Sequence, residues 1–99
     1  MTSDQEDNLR MMLSKLSECE NGQLALDCLI PELEGLFNAV NLPDEDWQDS
    51  FWNSWGDLEI NYAVALNRGW KSLDEVGEQI VSQAVADLKS LIGAKLSQG

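Results

Sequence analysis

The segment Asp44–Gly69, DEDWQDSFWNSWGDLEINYAVALNRG, constrains the fold more than any other part of the chain. Within it Trp47, Phe51, Trp55, Leu58, Tyr62 and Leu66 follow one another at steps of 4, 4, 3, 4 and 4 residues. At about 100° per residue this spacing puts all six on one face of an α-helix, whereas a strand would alternate. An aromatic stripe of this size belongs in a core, so the segment predicts a helix that other helices must cover. Trp52 falls at the edge of the stripe, with Glu59 two turns on beside it. Asp49, Asn53 and Asp57 point away from the stripe. Gly56 removes a side chain where a neighbouring helix could approach.

The rest of the chain supplies such helices. Ser3 and Glu6 have capping-box spacing and predict a helix over about residues 4–19, with Leu9, Met12, Leu13 and Leu16 as its buried stripe and Asn21-Gly22 as its stop. Leu26, Leu29, Leu33, Leu36, Phe37 and Val40 form a second stripe, which Pro31 interrupts. Proline lacks the backbone donor and biases the preceding residue away from the helical region, so the helix either kinks at Pro31 or starts afresh there, the second giving a short piece over about 23–29 and a main helix over about 31–41. Asn41-Leu42-Pro43-Asp44 reads as a turn, and Gly69 as the stop of the aromatic helix. Ser72 and Glu75 repeat the capping box, opening a helix over about 73–96 that buries Val76, Ile80, Ala84, Leu88, Leu91 and Ile92. In that helix Gly77 and Gly93 either weaken the turn or permit close packing, and Trp70 before it covers one end of the core. No alternating strand pattern or internal repeat competes. The expected fold is all-α, a four- to five-helix bundle in a single domain over residues 1–99.

Charge is distributed unevenly. The formal net charge is −12, and from Leu16 to Asn67 there are eleven acids and no Lys or Arg. The six bases, Arg10, Lys15, Arg68, Lys71, Lys89 and Lys95, lie in the end segments. A single-sign region of this kind attracts cationic partners and repels nucleic acid and anionic membranes. The absence of histidine removes the usual general base and most transition-metal chemistry. The glycines are isolated and form no phosphate-binding loop. Glu75 and Glu78 give half of a carboxylate metal motif, but no E-x-x-D follows as its second half. The expectation is a protein that is not an enzyme and holds no cofactor or metal. Cys19 and Cys28 are too few for a disulfide framework or a zinc site and are expected to be reduced and structural. No run nears the ~20 apolar residues of a membrane span, and the acidic start is unlike a signal peptide, so a cytoplasmic protein is expected.

The residues singled out for partner binding are Glu32, Glu34, Asp44, Glu45, Asp46, Asp49, Trp52, Asp57 and Glu59. Carboxylates beside a half-exposed tryptophan suit a surface rich in Lys or Arg. Asp44, Glu45 and Asp46 also suit a helix start, where the dipole favours them. Glu59 lies one step from the stripe. It has either a structural role, bonding a Trp N–H, a Tyr hydroxyl or an N-terminal amide, or a direct contact to a partner.

The pattern W-x-x-x-F-W-x-x-W-x-x-L-E-x-x-Y-A-x-A-L-x-R-G, Trp47–Gly69, resembles that of small acidic immunity proteins of bacterial toxin systems, of the contact-dependent-inhibition and colicin type. The chain lacks the paired-tyrosine helix motif of the DNase-colicin immunity proteins, so the binding residues of that subfamily do not carry over. The resemblance implies a cytosolic inhibitor, monomeric when free, that binds a cognate basic toxin domain such as a nuclease and blocks its active site or substrate surface. The alternative is an acidic helical adaptor or oligomerisation module, in which the acid serves only solubility.

Overall fold

Each stripe lies on a helix, and there are four of them. A computed structural model describes residues 2–69 and 73–98, with α1 (Ser3–Glu20), α2 (Leu26–Val40), α3 (Glu45–Asn67) and α4 (Glu75–Gln98), and no strand among those residues. The chain runs up, down, up and down, with α1 against α2, α2 against α3, α3 against α4, and α4 closing back on α1. Polar ties fix the register. Gln5 Nε2 donates to the Val40 carbonyl at 3.0 Å, Trp55 Nε1 to the Ile30 carbonyl at 3.0 Å, and Trp47 Nε1 to the Leu91 carbonyl at 3.4 Å. One contiguous core contains Leu9, Met12, Leu16, Leu29, Leu33, Val40, Phe51, Leu58, Leu88 and Ile92.

The starts of α1 and α4 differ from expectation. The α1 box uses Thr2 and Gln5, one residue before Ser3 and Glu6: Gln5 N donates to Thr2 Oγ1 at 3.1 Å and Thr2 N to Gln5 Oε1 at 2.9 Å. Gln serves at the third helical position as well as Glu, which frees Ser3 to be helical. At α4 the cap comes from Asp74, whose Oδ1 accepts from Gly77 N at 2.7 Å and whose carbonyl accepts from Glu78 N at 2.9 Å. An added Cβ at Gly77 would lie 2.9 Å from Asp74 Oδ1, so the capping carboxylate would have to shift. Trp70 and Ser72 lie outside the described residues. An added Cβ at Gly56 or Gly93 would meet nothing within 4 Å, so neither permits a close helix approach.

Pro31 does not divide α2, contrary to the expectation of a fresh start there. The bond it cannot make is the one to the Asp27 carbonyl, and both residues are exposed, so water can take that acceptor. On the opposite side Leu29, Ile30 and Leu33 are buried in one core, which holds the two halves in line. The Pro31→Ala variant should therefore gain about 1–2 kcal/mol, the restored helical propensity exceeding the lost stiffness of the unfolded chain. The urea midpoint checks this.

Two stripes drift off the core face at their ends. Leu66 is 59% exposed and Ala65 is buried in its place; counted from Leu58, Ala65 is roughly 20° off the face and Leu66 roughly 80°. In α4 a strict four-residue ladder from Ile92 back to Val76 accumulates about 160° of error over four steps. Accordingly Ala84, Leu88 and Ile92 are buried and Leu91 half-buried, while Val76 and Ile80 are exposed; Gly77, Val81 and Val85 face inward instead.

Candidate acidic interface

The geometry of the acidic face starts from an aromatic cluster. Phe37 of α2 stacks on Phe51 with ring centroids 4.5 Å apart and on Trp47 at 5.7 Å, and tilts against Trp52 at 4.6 Å. Trp52 also meets Phe51 at 5.3 Å and Trp55 at 5.1 Å, both edge to face, an arrangement that aromatic quadrupoles favour. Trp52 is thus half-buried, held by three rings. Phe37 is the platform beneath it. Its place in the α2 stripe shows in the sequence, but its role under Trp52 requires knowing that α2 packs against α3.

The acids then sort by helix face. Glu45, Asp49, Trp52, Gly56 and Glu59 recur at steps of 4, 3, 4 and 3 and so form one stripe on the α2 side of α3. Glu34 lies on the flank of α2 that also carries Phe37, so it borders the same stripe. Glu34, Glu45, Asp49 and Glu59 are exposed and form no ion pair with a described residue. Asp46 and Asp57 lie on the other flank of α3: Asp46 lines a shallow recess with Ser50, Leu91 and Lys95, and Asp57 is two turns on from Ser50. Glu32 turns to α1, where its Oε2 is enclosed without a hydrogen bond, 3.6 Å from Lys15 Nζ.

Asp44 is committed to the fold. Its Oδ1 accepts from Trp47 N at 3.1 Å as the α3 cap, and its Oδ2 accepts from Lys95 Nζ at 2.7 Å. The Lys95 hydrogen bond, followed by the Trp47 amide, holds its carboxyl below the usual carboxylate range. A group depressed in the folded state stabilises above its unfolded pKa, and the contribution is lost as pH falls below about 4. Asp44→Asn keeps the cap acceptor but not the charge. Its deficit in urea midpoint against wild type should be present at pH 6 and shrink toward pH 2; a constant deficit contradicts this role.

Three of the eleven acids between Leu16 and Asn67 are thereby matched by lysines from outside that segment, Glu20 by Lys89 at 2.7 Å, Glu32 by Lys15 and Asp44 by Lys95. Such pairs are worth at most about 1 kcal/mol each where exposed, but they remove charge from the α1 and α4 sides and leave the α2/α3 face unneutralised. Glu59 has no hydrogen bond to a described residue. Of the donors expected for a structural Glu59, Trp55 Nε1 is used on Ile30 and Trp47 Nε1 on Leu91.

Both cysteines are free. Cys19 is half-buried, and burial, then the adjacent Glu20, push its thiol pKa up. Cys28 is exposed, so the expected structural role fails for it: it lies on the solvent side of α2, opposite Ile30. Among the described residues no three carboxylates or thiols converge as a metal site, and no described helix is long and apolar enough to cross a membrane.

Fold and surface define a class: a four-helix, up-and-down all-α domain with, among the described residues, an acidic face free of ion pairs around Trp52. Comparison with protein-family models, characterised proteins and solved structures gives no match.

Proposed function

We propose that this domain is a non-catalytic, cofactor-free cytoplasmic inhibitor that binds a basic protein, a toxin domain of the nuclease type, through its α2/α3 face. The observation that carries the reading is the stripe Glu45, Asp49, Trp52 and Glu59 with Glu34 beside it, acidic throughout and unmatched by any Lys or Arg of the α2 and α3 helices. A basic nuclease cleft is lined to hold phosphates, and a row of carboxylates one or two turns apart offers it anions at comparable spacing. Trp52 adds a flat ring, fixed by Phe37, Phe51 and Trp55, on which a guanidinium can stack without a large loss of side-chain entropy. The resemblance of Trp47–Gly69 to toxin-immunity proteins points the same way.

The test is calorimetric titration of the chain into a basic nuclease-type toxin domain from an adjacent gene, at about 50 and 300 mM salt. A one-to-one complex whose affinity falls steeply with salt is expected. An affinity indifferent to salt, or no complex, rejects the reading in favour of the acidic adaptor.

A further inference from the structure

A second surface lies at the far end of the molecule. Trp55 reaches the carbonyl of Ile30, near the start of α2, so the rest of α3 and the facing start of α4 run past α2. On this extension Ile60 is 63%, Val64 38%, Val76 64% and Ile80 39% exposed. They account for four of the six large exposed hydrophobic residues described.

The register of the α3/α4 seam places them together. Trp47 reaches Leu91, Asp44 reaches Lys95, and Asn61 lies beside Gly77. In that antiparallel register Ile80, Ile60, Val76 and Val64 alternate between the two helices along roughly 9 Å of the outer seam. Ile60 and Val64, like Val76 and Ile80, are one turn apart, so each pair shares a flank. The result is a ladder of aliphatic side chains between two helices. It is the shape that receives the i, i+3, i+4, i+7 face of an amphipathic helix.

Charge selects among occupants. Asp57 precedes Ile60 by three residues, Asp87 follows Ile80 by seven, and Asp46 lies further along the same seam, while Arg68 stands at the hairpin end beyond Val64. A second copy of the chain would bring these acids, and a net −12, against the same charges. A helix with lysine or arginine beside its apolar face would meet them with opposite sign. We propose that the outer α3/α4 seam around Ile60, Val64, Val76 and Ile80 docks a basic amphipathic helix of a partner protein. This surface lies on the α4 flank of α3, next to the Trp52 stripe, and its occupant does not depend on the function proposed above.

Three labelled synthetic helices test it by fluorescence anisotropy: one with leucines at i, i+3, i+4 and i+7 flanked by lysines, one with serine replacing the leucines, and one with glutamate replacing the lysines. The lysine–leucine helix should bind wild type saturably and the other two at least tenfold more weakly. Ile60→Gln/Val76→Gln, two exposed changes whose folding is checked by circular dichroism, should weaken it at least tenfold, and Glu45→Lys/Asp49→Lys should weaken it less. Equal binding by the serine helix or by the glutamine variant, or no saturable binding, overturns the proposal. So does a wild-type dimer by light scattering that Ile60→Gln/Val76→Gln dissolves, which assigns the seam to a second copy.

Discussion

Phe51→Ala should lose about 3–5 kcal/mol, as deletion of a fully buried aromatic ring does when the surroundings cannot collapse. Phe51 has no exposed surface and touches the rings of Phe37, Trp47 and Trp52, so the cavity would open where α2 and α3 meet. Phe37 and Trp52 are themselves half-buried and would lose their inner partner. Domains of this size have total stabilities of roughly 5–15 kcal/mol, so the variant should be near its limit. At about 4–8 °C per kcal/mol the melting temperature should fall by more than about 12 °C. A fall of only a few degrees would mean that the aromatic cluster is not the centre of the core. Trp52→Ala, truncating a half-buried ring at the rim, should cost less.

The second large effect is kinetic. Glu45→Lys/Asp49→Lys/Glu59→Lys reverses one face of α3 and changes the net charge by six, without touching the Asp44 cap or the buried side. Electrostatic steering contributes factors of about 10–10³ to association between oppositely charged surfaces. The triple variant should bind a basic nuclease domain at least about tenfold more slowly at low salt, with a flatter salt dependence. Asp7→Lys/Glu18→Lys/Asp87→Lys makes the same change in net charge on α1 and α4 and should slow binding less. If the two triples slow it equally, net charge matters and the α2/α3 face has no special place.

Helix identity was legible because each helix repeats its apolar residues over several turns. Leu9, Met12 and Leu16, or Leu29, Leu33 and Val40, needed no knowledge of partners. The ends of the stripes were less legible, because 3.6 residues per turn does not match a ladder of fours. Hence Leu66, Val76 and Ile80 are exposed while Ala65 and Gly77 face inward. The continuity of α2 through Pro31 was not legible, because the cost of the proline depends on where the orphaned Asp27 carbonyl points, which only the packed α2 settles. In the candidate interface the acidity of α3 was plain, but its division was not. Lys95 reaches Asp44 across 51 residues and Lys15 turns Glu32 to α1, and neither pairing leaves a trace in local spacing. Glu59, undecided between a structural bond and a contact surface, lies exposed in the stripe with Trp52.

The most direct measurement is a titration of toxin-domain nuclease activity with wild type and with Trp52→Ala, the fold of the variant being followed by its melting curve. One equivalent of wild type should abolish the activity. Trp52→Ala should need at least tenfold higher concentration for the same effect, as loss of a central aromatic anchor does. Undiminished nuclease activity with wild type, or a Trp52→Ala titration that overlays it, would contradict the claim that this face is the inhibitory surface.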